Sequence, residues 1–327
     1  MTRDLAALPK AHLHLHFEAA MRPSTLAELA AEADQPVPRW APFDDFQDFE
    51  AAYGDVLGLI RSRRHLARIM DDLADDAAAQ GARYVEVTLA PVLHAALFDG
   101  DVEAALQHLL QLAAEAEVRT GVTIRAMIAS ARTFPVELAL EDARLAAAWA
   151  GSGVVSFGLH ADERGAPAAP FGDAFAIARD AGLLITPHAG ELVGAESVRE
   201  AVELLHADRI LHGVRAIEDE GLVARLAELG TCLDVCPSSN LRLHVVPDLE
   251  HHPLPALLAA GVTCSINADD PLQFGPGLLE EYELCRSALG LDDERLAACA
   301  RASFTASGAP DEVKRRALAD IDAWLAA

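Results

Sequence analysis

Residues Leu8–Glu18 read Leu-Pro-Lys-Ala-His-Leu-His-Leu-His-Phe-Glu, and this stretch is the strongest structural signal in the chain. In an extended strand successive side chains point to opposite faces, so His12, His14 and His16 share one face and apolar side chains share the other. Two imidazoles separated by one residue on a strand face can bind a single metal ion. A lone histidine is more often a packing or surface residue, but three in alternation predict a metal site. His12 would lie deepest, so we expect His14 and His16 to be ligands.

Beyond this stretch, short β-branched runs alternate with segments rich in Ala and Leu, which is typical of a parallel sheet with crossover helices. The predicted strands are 11–17, 83–89, 122–129, 154–159, 183–187, 209–212, 231–236 and 262–267. The predicted helices are 66–80, 101–119, 136–150, 172–181, 195–206, 218–229 and 253–260. Eight such strands predict an α/β fold, a single (β/α)8 TIM-type barrel domain over residues 1–327. A doubly wound open sheet is the alternative, but no Gly-x-Gly-x-x-Gly follows the first strand.

Residues 18–82 interrupt this alternation, because they are too many for one connection and one helix. Prolines at positions 36, 38 and 42 indicate a loop, and aromatic residues at 43, 46, 49 and 53 then recur at helical spacing. We therefore expect a helical insertion after strand 1. It would pack on the barrel as an ordinary amphipathic helix, cover the barrel mouth as a lid, or do both. The tail, 291–327, predicts two C-terminal helices with a break near 308–310.

Composition restricts the classes of partner. The formal net charge of −25 repels phosphate backbones, so we do not expect nucleic acid to bind. No apolar stretch approaches the roughly 20 residues of a membrane span, and no signal peptide opens the chain, so we expect no membrane partner. The five cysteines, at positions 232, 236, 264, 285 and 299, are typical of reduced core thiols in a cytoplasmic protein.

Residues with catalytic potential follow the last four predicted strands. They are His188-Ala189-Gly190-Glu191, His212-Gly213, Cys236-Pro237-Ser238-Ser239-Asn240 and Asn267-Ala268-Asp269-Asp270-Pro271. Barrel enzymes build their sites at the C-terminal ends of strands. We therefore expect a set of six side chains to converge at one mouth: His14, His16, His188, His212, Asp269 and Asp270. Each of these residues alone has an ordinary explanation as a strand cap or a turn, but together they predict a site.

With the Leu-Pro-Lys-x-x-Leu-His-x-His opening, these motifs resemble the adenosine deaminase family of the amidohydrolase superfamily, from about residue 8 to 310. The resemblance implies a metal-bearing barrel that hydrolyses the 6-amino group of adenosine or a related 6-aminopurine nucleoside and releases ammonia. The implied ligands of one divalent metal are His14, His16, His188 and Asp269. Three neutral imidazoles and a carboxylate suit Zn²⁺ best, while iron, cobalt and manganese remain open.

The resemblance also implies roles around that metal. Glu191, His212 and Asp269 would be catalytic: Glu191 would protonate the purine ring nitrogen, and His212 would orient or deprotonate the attacking water. Glu191 can act as an acid only if an apolar pocket raises its pKa. The residues implied to contact the small-molecule substrate are His16, Glu18, Ala161 and Asp270, the last on the imidazole side of the purine.

Some positions depart from the family pattern and leave the substrate open. Glu18 precedes Ala19 where relatives carry an acid and then Gly, and Glu is more usual in the adenine deaminases. Ala161 stands where relatives often have Gly, although Ala disfavours positive φ. Arg132 could meet the carboxylate of aminodeoxyfutalosine or be a structural ion-pair partner. Adenine deaminase and aminodeoxyfutalosine deaminase are therefore alternatives, and the roles of His12 and His160 and the oligomeric state stay open.

Two further classes are less favoured. Other amidohydrolase reactions often use a Lys on the fourth strand between two metals, and 154–160 contains no Lys. A non-catalytic binding protein would be expected to have lost Glu191, His212 or Asp269. The zinc deaminases with His-x-Glu and a later Pro-Cys-x-x-Cys are rejected, because only the first half occurs, at His16-Phe17-Glu18.

Overall fold

A computed structural model describes residues 3–39 and 41–327 of the protein. Its strands are β1 (Lys10–His12), β2 (Ala82–Leu89), β3 (Thr123–Ala131), β4 (Val154–His160), β5 (Leu184–Ile185), β6 (His188–Ala189), β7 (Arg209–His212), β8 (Cys232–Val235) and β9 (Cys264–Ile266). All neighbouring strands pair in parallel, in the orders β1-β2-β3-β4-β5 and β6-β7-β8-β9. β5 and β6 are two halves of one barrel strand, interrupted at Pro187, which has no N–H to donate. The predicted (β/α)8 barrel is confirmed.

The ring of strands closes between β9 and the first strand through a side chain. Asn267 Oδ1 accepts the backbone N–H groups of Leu13 at 2.7 Å and His14 at 3.2 Å. An isolated bridge follows, in which Asp269 N–H donates to His14 O at 3.0 Å and His16 N–H donates to Asp269 O at 3.1 Å. β1 therefore ends at His12 and not at residue 17, because the next two amides bond a side chain instead of a strand.

The helices surround the barrel. They are α1 (Pro23–Glu32), α2 (Phe46–Leu57), α3 (Arg63–Ala79), α4 (Val102–Thr120), α5 (Val136–Ala148), α6 (Gly172–Asp180), α7 (Ala195–Glu203), α8 (Glu220–Leu229), α9 (Pro237–Arg242), α10 (Leu254–Ala259), α11 (Pro271–Phe274), α12 (Leu278–Ser287), α13 (Asp293–Thr305) and α14 (Asp311–Ala326). Each of the seven predicted helices is present, and α13 and α14 are the two helices predicted for the tail. Within the described residues, no helix combines the length and the apolar character that a membrane crossing requires.

The barrel interior below the site contains a buried ionic cluster that sequence analysis did not anticipate. Arg209 donates to Glu86 Oε2 at 2.7 Å and to Asp234 Oδ2 at 2.8 Å, and the three side chains have no exposed surface. Glu86 also accepts the N–H of Gly308, which ties the tail to the barrel. Because each of these three buried charges is hydrogen-bonded to at least one other member of the cluster, loss of one side chain would leave an uncompensated buried charge.

The segment after the first strand contains α1, α2 and α3. The aromatic side chains of α2 form a small apolar cluster with α11, in which Phe49 stacks on Phe274 with a 5.3 Å separation of ring centroids. One larger core includes side chains from Leu5 to Trp324. All five cysteines are buried and free, as expected for core thiols, while the cytoplasmic location stays a prediction.

Candidate active site

A cavity of about 560 Å³ opens at the C-terminal ends of the strands. Eight of the predicted site residues line it: His16, Glu18, Ala161, His188, Glu191, His212, Asp269 and Asp270. His14 has no exposed surface and reaches this group from below. The structure thus brings every predicted site residue to one mouth, although they are distributed over more than 250 positions of the chain.

Four of these residues present ligand atoms close enough to hold one metal ion: His14, His188, His212 and Asp269. His14 Nε2 lies 3.1 Å from His188 Nε2 and 2.9 Å from Asp269 Oδ1. The predicted ligand His16 belongs to a neighbouring group with Asp269 and Asp270, and its Nε2 is 3.3 Å from Asp269 Oδ1. The cluster therefore contains three predicted ligands, with the fourth at its edge.

The tautomers of two histidines fit a metal. His188 Nδ1 is 2.9 Å from Leu159 O and His14 Nδ1 is 3.3 Å from Asp234 O, so each Nδ1 carries the proton and donates it to a carbonyl. Both Nε2 lone pairs then point at each other across 3.1 Å, an arrangement that a cation between them relieves. Burial lowers the pKa of His188 well below its ordinary value.

His212 has the opposite tautomer, which a chain of hydrogen bonds establishes. Leu254 N–H donates to His252 Nδ1 at 3.2 Å, so the proton of His252 lies on Nε2, which is 3.2 Å from Asn240 Oδ1. The amide group of Asn240 is thereby oriented, and its Nδ2 donates to His212 Nδ1 at 3.2 Å. The proton of neutral His212 must then lie on Nε2.

This Nε2–H of His212 faces the reaction site. The Nε2 atom lies 3.4 Å from Glu191 Oε1 and 3.7 Å from Asp269 Oδ2. Burial lowers the pKa of His212 to about 3, so the ring is neutral at physiological pH. A nitrogen that carries a proton donates and does not ligate, so His212 suits hydrogen bonding beside a metal better than metal binding.

Glu191 is suited to act as an acid. Burial raises its pKa well above the ordinary value, and the charges of Asp269 and Glu163 raise it further. The loop that carries Glu191 is held by Glu163, whose carboxylate accepts the N–H groups of Gly190 and Glu191 at 2.8 and 2.9 Å and also those of the next two residues. Sequence analysis did not identify this role of Glu163. Its position as an acidic residue in the loop after β4 was the feature of the sequence that could have indicated it.

The two consecutive aspartates differ in environment. Asp269 adopts a left-handed backbone with φ of 62°, and its Oδ1 lies 2.9 Å from His14 Nε2 and 3.3 Å from His16 Nε2. Burial opposes ionisation of Asp269, but the imidazole of His14 beside its carboxylate outweighs this effect and lowers the pKa of Asp269. Burial raises the pKa of Asp270 well above its ordinary value, and the charge of Asp269 adds to the effect. Within the described residues, Asp270 Oδ1 has no hydrogen-bond partner and remains available to a ligand.

Glu18 is fixed in the cavity wall by two residues that sequence analysis did not assign to the site. His94 Nε2 is 2.7 Å from Glu18 Oε1, and the Tyr53 hydroxyl donates to Glu18 Oε2 at 2.7 Å. Burial works against the charge of Glu18, but the hydrogen bond from His94 prevails and lowers its pKa. Ala161 adopts φ of 73°, so this alanine occupies the conformation that favours glycine and keeps its amide where a glycine would place it.

The structure also shows where the three residues of open role lie. His12 Nε2 accepts the N–H of Ala268 at 3.1 Å and supports the chain that leads to the aspartates. Arg132 is buried and donates to the carbonyls of Ala166 and His188, so it holds site backbone and does not present a free cation. His160 lines the cavity with its ring centroid 6.1 Å from that of His16, and burial lowers its pKa to about 3.

Comparison with known proteins now adds to this geometry. A family model described as adenosine deaminase matches residues 9–324. The chain belongs to the adenosine deaminase family. It is therefore a hydrolytic deaminase that acts on C–N bonds, as the motifs predict.

Relatives of this deaminase are similar over their whole length. A Streptomyces virginiae protein that carries the provisional name adenosine/adenine deaminase is 41% identical, with 99% of this chain and 98% of the relative covered. The adenine deaminase of Rhizobium leguminosarum bv. trifolii is 35% identical, with 96% and 99% covered. The crystal structure of adenine deaminase from Arthrobacter aurescens superimposes with a TM-score of 0.90 at 30% identity, covering 98% of this chain and 100% of that one. A crystal structure of an amidohydrolase from Burkhoderia ambifaria with bound Zn has a TM-score of 0.86 at 26% identity, covering 98% and 93%.

Proposed function

We propose that this deaminase converts the 6-amino group of a 6-aminopurine to a 6-oxo group and releases ammonia, with one zinc ion bound by His14, His16, His188 and Asp269. One observation carries the proposal. The Nε2 atoms of His14 and His188 converge beside Asp269, and the same cavity contains the carboxyl group of Glu191, whose pKa is raised. Hydrolysis at an aromatic carbon requires both a nucleophile on one side and an acid at the adjacent ring nitrogen.

The donor set supports a metal at this position. Three neutral imidazoles and one carboxylate suit zinc, and the amidohydrolase from Burkhoderia ambifaria was solved with bound Zn. When bound here, such an ion supplies a nucleophilic hydroxide near neutral pH, because it lowers the pKa of water from about 15.7 to roughly 7. The carbonyl partners of His14 and His188 Nδ1 fix both rings in the tautomer that ligation requires.

The residues around the proposed metal position have the remaining catalytic and binding roles. Glu191, whose pKa burial raises well above its ordinary value, donates its proton to the ring nitrogen next to the amino-bearing carbon, which makes that carbon more electrophilic. His212 donates its Nε2–H to the attacking oxygen and holds it in line, with Asp269 on the other side. Asp270, whose pKa is also raised, donates to the nitrogen on the imidazole side of the purine.

The site supports adenine as the first substrate to test. The Rhizobium and Arthrobacter relatives are adenine deaminases, and both carboxylate oxygens of Glu18 already have partners in this chain. Adenosine is the second candidate, because a cavity of about 560 Å³ is larger than a purine base. Aminodeoxyfutalosine is not favoured, because Arg132 is engaged by backbone carbonyls and the described lining of the cavity contains no Lys or Arg that could meet its carboxylate.

We further propose that residues 1–327 form one domain in which the insertion of about 18–82 acts as a lid. Three aromatic side chains of α2, Phe46, Phe49 and Tyr53, line the cavity, and Tyr53 bonds Glu18 directly. An insertion that contributes to the wall of a barrel mouth is suited to exclude water from the reaction.

Release of ammonia from a substrate panel tests the proposed function. Zinc-replete enzyme is assayed with adenine, adenosine, deoxyadenosine, methylthioadenosine and aminodeoxyfutalosine, with metal content measured on the same sample. We expect turnover of adenine or adenosine and none of aminodeoxyfutalosine. If enzyme with one zinc per chain releases no ammonia from any of these compounds, the result would contradict the proposed function and favour a non-catalytic binding protein.

A further inference from the structure

His160 is a cavity side chain that the reaction described above does not use. It is the last residue of β4, and its ring lines the active-site cavity with its centroid 6.1 Å from that of His16. Neither ring nitrogen of His160 is hydrogen-bonded to another described residue. A neutral imidazole has one N–H donor and one acceptor nitrogen, so this ring offers both to a ligand in the cavity.

The polar residues of the cavity wall follow a definite order. On one side of His160, the chain continues to Glu163, whose carboxylate accepts the N–H of Glu191 at 2.9 Å. On the other side, the ring of His16 lies beside His160, and a nitrogen of this ring is within 4.8 Å of a carboxylate oxygen of Asp270. The order of cavity-lining residues around this part of the wall is therefore Glu191, Ala161, His160, His16 and Asp270.

This order matches the order of the nitrogen atoms around a purine. In the binding mode proposed above, N1 meets Glu191, N7 meets Asp270, and C6 faces the proposed metal position. The nitrogens on the opposite edge of the purine are then N3, on the side of N1, and N9, on the side of N7. Along the same part of the wall, the backbone amide of Ala161 comes first and the ring of His160 second. N3 is an acceptor and suits an amide N–H, whereas N9 of a free base carries a proton and requires an acceptor.

The other acceptor near N9 is already engaged. Both carboxylate oxygens of Glu18 accept hydrogen bonds at 2.7 Å, one from His94 and one from the hydroxyl of Tyr53. The ring of His160 has no such partner among the described residues. A buried acceptor without a partner is costly, so a ligand that donates a proton to it is favoured.

We propose that His160 binds the substrate by accepting the N9–H of a free 6-aminopurine base, and that it thereby selects adenine over 9-substituted adenines such as adenosine. This inference rests on the proposed function and names a specificity-determining residue of the same site. A substituent on N9 removes the proton from that nitrogen and places a carbon atom against the His160 ring. A 9-substituted purine therefore loses the hydrogen bond and leaves the acceptor without a partner.

The ratio of kcat/KM for adenine to that for 9-methyladenine tests the proposal, because the fraction of active enzyme cancels in this ratio. Zinc-replete wild type is expected to prefer adenine at least about tenfold. His160→Phe keeps a flat ring but has no acceptor, and it should lower the ratio at least about fivefold. His160→Gln retains an acceptor oxygen, so its ratio should exceed that of His160→Phe. His108→Phe is the matched control, because His108 lies on α4 and does not line the cavity, and its ratio should equal that of the wild type.

Product inhibition measures binding separately from the chemical step. The Ki of hypoxanthine should rise about fivefold in His160→Phe, whereas the Ki of 9-methylhypoxanthine should stay constant. A wild-type ratio of one or less, or an unchanged ratio in His160→Phe, overturns the role of His160 and leaves the proposed function intact. If zinc-replete wild type turns over neither adenine nor adenosine, both the role of His160 and the proposed function are overturned.

Discussion

His252 tests the assigned tautomer of His212 without touching any group at the reaction site. In His252→Leu, Asn240 Oδ1 loses the donor that fixes its amide, and the N–H of Leu254 loses its acceptor. In His252→Gln, the side-chain amide can donate to Asn240 and accept from Leu254, so the chain of hydrogen bonds is restored. The two substitutions have similar volume and differ mainly in this capacity.

The magnitude follows from the value of one neutral hydrogen bond. Such a bond contributes about 1 kcal/mol net, so its loss shifts the balance of Asn240 orientations about fivefold. We expect kcat of His252→Leu to fall by up to about fivefold, because part of the population then lacks the Nε2–H that faces Glu191 and Asp269. Two buried groups without partners should also lower the free energy of unfolding by about 2–4 kcal/mol.

The assay combines kinetics with a direct view of the proton. kcat, KM and zinc content are measured for the wild type and both variants, and the ring nitrogens of His212 are assigned by ¹⁵N NMR of histidine-labelled protein. We expect a lowered kcat with nearly constant KM and zinc content in His252→Leu, and recovery in His252→Gln. A His212 proton on Nδ1 in the wild type, or full activity in His252→Leu, would refute the reasoning.

The remaining predictions address the acid, the metal and pH. Glu191→Gln keeps the shape but cannot donate the proton, so zinc content should stay constant while kcat falls at least about 100-fold; comparable kcat would contradict the assigned role. Asp269→Ala should lower both zinc content and activity, and metal analysis with full occupancy and full activity would count against it as a ligand. Glu163→Gln removes a charge that raises the pKa of Glu191, so the alkaline limb of the kcat profile should move to lower pH, and an unmoved limb would exclude this coupling. Burial lowers the pKa of His252 from 6.5 to about 4, so between these pH values the unfolded chain binds a proton that the folded chain does not, and stability falls as pH falls. The free energy of unfolding, measured by denaturant titration, should therefore decrease from pH 7 to pH 5 by about 2 kcal/mol more in the wild type than in His252→Gln.

Much of the architecture and the composition of the site could be predicted because they follow from local features. Alternation of β-branched and Ala/Leu-rich segments reports strands and helices over a few residues, and the eight predicted strand positions agree with the structure to within a few residues, except for the first. Parallel strands in a closed barrel necessarily end at one rim. For that reason His188, His212 and Asp269 could be placed together with His14 from the motifs alone.

The first strand shows where local reasoning stops. Its alternating pattern predicts an extended run to residue 17, but the amides of Leu13 and His14 bond Asn267, more than 250 positions away. No periodicity in the sequence reports a bond between such distant residues. The same reason applies to Glu163, which holds the Glu191 loop, and to the contacts of Glu18 with Tyr53 and His94.

The residue types in order along the chain were thus enough to predict a barrel and a metal-competent set of histidines, and their resemblance to the adenosine deaminase family implied a hydrolytic reaction. The protonation of those residues depended on packing. The proton of His212 is placed by Asn240 and His252, and the pKa of Glu191 is raised because folding removes it from water and sets it near Asp269. Burial and hydrogen-bond partners exist only once distant segments have met, and they are what turns a list of polar side chains into an acid, a donor and a set of ligands.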